Sequence, residues 1–112
     1  MKNILDEATI ATILSIRTRH RNDLRKLLRR HDWRDVGGCW LVAGDIAYRF
    51  GWDQIGGCYV LPDGTHESHE WNLLPDGRII DATADQFGAP SPGIRVVGAG
   101  DPRYNRDCYC SL

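Results

Sequence analysis

The chain has 112 residues, room for one domain with one core, and its 42% hydrophobic and 26% charged content is that of an ordinary globular protein, not a disordered one. No run approaches the roughly 18 consecutive apolar residues of a membrane span. The opening Met1-Lys2-Asn3-Ile4-Leu5-Asp6-Glu7 puts acids where a signal peptide needs an apolar run, so a cytoplasmic address, or export without a classical signal, is expected. A net charge of −1 hides an asymmetry, with nine Lys or Arg against four acids in residues 1–34 and five against eleven in residues 35–112.

In chain order, helices come first. Ile10, Ala11, Ile13 and Leu14 fall at helical spacing and predict a helix from Leu5 to about Thr18. A second is predicted from about Asn22 to His31, with Leu24, Leu27 and Leu28 on one face and Asn22 or Asp23 as its N-cap. The basic run Arg17, Arg19, Arg21, Arg25, Lys26, Arg29, Arg30 and Arg34 lies across these two segments. It reads as a solvated face packed near the acidic remainder. With no interleaved aromatics and no base-reading motif, nucleic acid is only a minor hypothesis. Gly37-Gly38 breaks the pattern. Residues 39–50 then place Cys39, Ala43, Ile46 and Phe50 on one helical stripe, with Asp45 and Arg49 paired on the other side and Gly51 as the stop.

Beyond Gly51 the pattern changes to hairpins. Pro62-Asp63-Gly64 and Pro75-Asp76-Gly77 are turn signals that bracket strands at about 57–61, 66–74 and 78–83. Residues 94–97 offer an edge strand within a stretch rich in Gly and Pro. With no internal repeat and no linker, residues 1–112 read as a single α+β domain: N-terminal helices and a Cys-bearing helix packed on a small antiparallel sheet.

The chemistry centres on three positions. Cys39 follows two glycines and opens a helix, where the first-turn amides stabilise a thiolate and can help hold an oxyanion. Strand alternation through 66–74 puts Glu67, His69, Trp71 and Leu73 on one face, and His66, Ser68, Glu70 and Asn72 on the other. His69 therefore looks inward beside Trp71. On the next strand Asp81 sits among Ile79, Ile80 and Ala82, a poor place for an unpaired carboxylate. If residue 73 faces 79 across the Pro-Asp-Gly turn, His69 and Asp81 are diagonal neighbours within side-chain reach, which demands a three- or five-residue connection.

Helix-start Cys, strand His and next-strand Asp, in that order, resemble the transglutaminase-like branch of the papain fold, which includes bacterial papain-fold toxins and protein deamidases. The residues carrying the resemblance are Gly38-Cys39-Trp40, His69 with Trp71, and Ile80-Asp81-Ala82-Thr83, spanning about residues 35–87. It implies a cysteine hydrolase or transamidase needing no cofactor and acting on a peptide, protein or small amide. Cys39 would be nucleophile, His69 its base and Asp81 the group orienting the imidazole. Trp71, Gly38 and Trp40 would line the substrate site, and loops near 52–57 and 88–102 would set specificity. Papain-like enzymes often place an oxyanion-hole Gln upstream of the Cys. Here the only glutamines, Gln54 and Gln86, lie downstream, which leaves a backbone amide or Trp33 as second donor; Gln86-Phe87 is taken to close the strand after Asp81.

Competing readings use other residues. A zinc module would draw on Cys58, His66, His69, Cys108 and Cys110, although C-x-C is not the usual zinc spacing and one strand cannot aim 66 and 69 at one ion. A catalytically degenerate interaction protein is the third reading. His66 is the fallback base, His20 and His31 read as surface residues, and the cysteines read as free thiols.

Overall fold

The computed structural model describes residues 5–28 and 38–107. Helix α1 spans Glu7–Leu28 and helix α2 spans Gly38–Phe50. Five strands follow: β1 Gln54–Val60, β2 His66–Leu73, β3 Ile79–Asp81, β4 Arg95–Val97 and β5 Tyr104–Asn105, with a 3-10 turn at Ala84–Phe87 after β3. They form one antiparallel sheet in the order β4-β3-β2-β1-β5. The chain is α+β, and among the described residues both helices precede the sheet. Among the described residues no helix is long and apolar enough to cross a membrane.

Helix α1 corrects the expectation of two separate helices. Nothing from Glu7 to Leu28 is Gly or Pro, so Thr18-Arg19-His20-Arg21-Asn22 lowers propensity without breaking the helix. Asn22 lies inside it. The cap is Asp6, whose Oδ1 accepts the Thr9 N–H at 2.8 Å. Residues 29–34, including His31 and Trp33, lie outside the described residues. The basic face is tied into the acidic part of the chain: Arg17 reaches Asp85 at 2.7 Å, and Arg19 and His20 both reach Asp45. His20 is therefore a half-buried partner of an aspartate, not a surface residue.

Helix α2 stops at Gly51, whose φ of +72° is open to glycine at little cost and whose N–H closes on Ala47 O. Its buried stripe is Val42, Ala43 and Ile46. With Ile13 and Ile16 of α1, and Trp52, Leu74, Ile80 and Ala82, it makes the larger core. Each such aliphatic side chain contributes roughly 1.5–3 kcal/mol on burial. Asp45 and Arg49 do pair across the outer face of α2.

The register between β2 and β3 is Leu73↔Ile79 and Asn72↔Ile80. A five-residue connection, 74–78, makes it, closed by Leu74 N–H to Arg78 O at 2.8 Å and by Gly77 at φ +91°. The consequence is two buried faces. Asn72 and Ile80 face α2, where Asn72 Nδ2 donates to Ala43 O at 3.0 Å and Trp52 O at 3.3 Å. Trp71 and Ile79 point the other way, into a second cluster with Tyr59 and Tyr104, flanked by Ile55, Leu73, Phe87 and Val97. The face carrying Asn72 is thus packed on the helix as well, its deep amide satisfying two carbonyls.

Candidate active site

His69, Trp71 and Asp81 sit on the second face. His69 is 1% exposed and Asp81 is fully buried, so each ring nitrogen and each carboxylate oxygen must find a partner. His69 Nε2 lies 2.8 Å from Asp81 Oδ2. The same oxygen accepts the Tyr104 hydroxyl at 2.7 Å, and Oδ1 accepts the Thr83 N–H at 3.1 Å. A carboxylate is acceptor-only, so Nε2 carries the proton toward Asp81.

Cys39 supplies the third group. Its side chain, half-buried in the first turn of α2, lies within interaction reach of the His69 imidazole. Burial alone would make His69 harder to protonate. The charge and hydrogen bond of Asp81, then the contact with Cys39, outweigh it and raise the imidazole to about 9. Near neutral pH the site therefore favours a protonated imidazole between a carboxylate and a sulfur.

Around the imidazole stands an aromatic box. Phe87 meets it edge-on at 4.8 Å between centroids, Tyr59 edge-on at 6.1 Å, and Trp71 and Tyr104 stand at 6.0 and 6.4 Å. Phe87 and Tyr59 are stacked at 3.9 Å. Burial and the negative charge of Asp81 push the Tyr104 hydroxyl well above its usual range, so it stays a donor. Arg95 in turn reaches the Tyr59 hydroxyl at 2.7 Å.

The structure thus brings Cys39, His69 and Asp81 together and disperses other residues. Trp71 is 2% exposed, stands beside the imidazole, and walls a cavity together with Ile55, Leu73 and Tyr104. Gly38 is buried beneath the start of α2. Trp40 is 58% exposed and turns toward the side of α2 that carries Gly44 and Tyr48. His66 is exposed at the far end of β2, on the opposite face from His69, and is no fallback base. Residues 54–57 belong to β1, so no specificity loop exists there.

Two expectations about side chains change outright. Cys58 is disulfide-bonded and 1% exposed, so it is neither a free thiol nor a zinc ligand. Cys108 and Cys110 lie outside the described residues. Gln86-Phe87 does not extend a strand: the chain leaves the sheet after Asp81 and coils into the 3-10 turn, bringing Gln86 Nε2 to 2.6 Å from His69 Nδ1.

Gln86, Phe87, Tyr59 and Tyr104 are the site residues that sequence reasoning missed. Only Tyr59 carried a local signal, since strand alternation from Cys58 placed it on one defined face. Comparison with protein-family models, with curated proteins and with solved structures found no match to this chain.

Proposed function

We propose that the chain is a thiol-dependent acyl-transfer enzyme of transglutaminase-like, papain-like type, acting on an amide bond of a peptide, protein or small molecule. One observation carries the reading: a single buried imidazole is bonded through Nε2 to a fully buried carboxylate and contacts the thiol of Cys39, the one free cysteine among the described residues. A structural histidine needs partners, but it has no need of a half-buried thiol at the mouth of a helix.

Cys39 attacks the carbonyl carbon as its proton rests on Nδ1. The tetrahedral oxyanion faces the first-turn amides of α2. Collapse breaks the carbon–nitrogen bond as Nδ1–H protonates the leaving nitrogen, leaving a thioester on Cys39. Water or an amine then attacks, giving up its proton to Nδ1. Asp81 fixes the tautomer throughout, and Tyr104 and Thr83 hold Asp81.

The test has two stages. Iodoacetamide near pH 7 should alkylate Cys39 faster in the wild-type chain than in Asp81→Asn, as read by peptide mass spectrometry. Incubation with a glutamine-rich protein such as casein should then give ammonia (deamidation or transamidation) or new amino termini (peptidase activity). Either product should vanish in Cys39→Ala. Equal alkylation in wild type and Asp81→Asn, with neither product formed, would sink the proposal.

A further inference from the structure

The helix that carries Cys39 has an outer face that the thiol site does not use. Trp40 and Tyr48 are the large apolar side chains left exposed among the described residues, at 58% and 91%. Eight residues apart on α2, they share one stripe, and Gly44 falls midway between them. With Leu41, Gln54 and Arg19 they line a shallow groove of about 450 Å³. A glycine inside a helix costs about 1 kcal/mol against alanine. Packing does not demand one here, since a β-carbon on Gly44 would meet Gln54 Oε1 at an ordinary 3.6 Å. The missing side chain gives the groove its depth between the two rings.

One end of the groove adjoins the nucleophile, because Trp40 is the residue after Cys39. There Gln54 Nε2 donates to Trp40 O at 3.3 Å and to Glu70 Oε1 at 2.9 Å, and Glu70 directly follows His69. Gln54 Oε1 stays beside Gly44 as an acceptor. The far end is cationic. Asp45 is met by Arg19, His20 and Arg49 together, and one carboxylate against two guanidiniums leaves one positive charge over. Both guanidiniums are half-exposed, and with Thr12 and Ser15 they line a second cavity of about 320 Å³.

Building on the thiol-enzyme reading above, we infer that this groove seats the substrate as an extended peptide, with apolar side chains on Trp40 and Tyr48 and an acidic side chain at Arg19 and Arg49. A purely apolar small molecule would have no use for Gln54 Oε1, whereas a peptide N–H can donate to it. The helix sets the spacing. From Cys39 to Arg49 it rises about 15 Å, the span of about four to five extended residues, so the acid stands about that far along the chain from the amide that Cys39 attacks.

The probes are acetyl-Gln-Leu-Phe-Leu-Glu-amide and the reverse order, acetyl-Glu-Leu-Phe-Leu-Gln-amide, each with a counterpart carrying Lys in place of Glu. Calorimetric titration at low salt should show one order binding about tenfold tighter with Glu than with Lys, a preference that salt at about 0.5 M erases. Arg49→Gln should cut that preference by about threefold or more. Tyr48→Ser changes a side chain that the fold leaves exposed and should weaken both forms by about fivefold or more. Gly44→Leu fills the groove and should abolish binding in a chain that urea unfolding shows to be folded; if it does not fold, Tyr48→Ser decides. Equal binding of Glu and Lys forms in both orders overturns the inference, as does wild-type binding in Tyr48→Ser. A dimer of the free chain that Tyr48→Ser splits would give the groove to a second copy and overturn it too. Acid-selective binding with no peptide product and no acylated Cys39 in the intact mass upholds the groove and removes the thiol-enzyme reading. Product formed without acid selectivity does the reverse.

Discussion

The His69–Asp81 pair makes stability depend on pH in a direction that can be worked out in advance. Folding raises the imidazole from its ordinary 6.5 to about 9. At about 1.36 kcal/mol per unit, the folded state gains about 3 kcal/mol from holding that proton. Because the folded value lies above the unfolded one, the gain is complete below pH 6.5 and is lost as pH rises through 9. Asp81→Asn removes the charge that raises the imidazole and leaves the burial that depresses it, so His69 in the variant should be neutral at pH 7. Urea unfolding at intervals between about pH 5.5 and 10 should show the wild-type chain losing about 3 kcal/mol more than the variant across that window. An NMR titration of the His69 ring gives the same number independently. Parallel stability curves for the two proteins, or a wild-type His69 titrating at or below 6.5, would refute the reasoning.

Two further substitutions test the supports of the site. Tyr104→Phe deletes the hydroxyl that Asp81 Oδ2 accepts at 2.7 Å and should cost about 1–2 kcal/mol in urea unfolding at pH 7; a midpoint unchanged from wild type would show that bond to be worth nothing. Arg17→Met removes a buried guanidinium that bonds both Asp85 and Pro92 O. With Arg21 still beside Asp85, the expected loss is about 2 kcal/mol, below that of a fully orphaned buried charge.

The parts of the fold legible in the sequence are those dictated by short-range rules. The stripe of Ala43 and Ile46, the stop at Gly51 and the two Pro-Asp-Gly connections are local statements, and the structure follows them. The five-residue connection then fixed the register, and the register put His69 and Asp81 diagonal to each other. What local rules could not supply is whatever arrives from a distance. A two-residue β5 has no period to read, yet it delivers Tyr104 to Asp81. The 3-10 turn after Asp81 exists because Arg17, far away in α1, pins Asp85, and no pattern in residues 84–87 announces that. The break expected near Asn22 failed for the opposite reason: weak helix formers in the middle of a helix give way when Ile13, Ile16 and Arg17 are all committed to the core.

His69, its partner Asp81 and Gln86 all lie within residues 69–86, on two paired strands and the turn that follows them. That segment can be right by itself and still be inert, because in the proposed mechanism the nucleophile, Cys39, comes from another element. The alignment of α2 against β2 therefore decides whether the site exists. Apolar packing alone would leave α2 free to slide, since Val42 and Ile46 contact broad aliphatic neighbours without directional preference. Asn72 supplies the direction. Its amide bonds a carbonyl inside α2, one turn from Cys39, and a second carbonyl just past the helix end, while its neighbours on β2 reach toward the aromatic box. An asparagine on the helix-facing side of β2 is thus the clasp that holds the thiol of one element opposite the imidazole of the other.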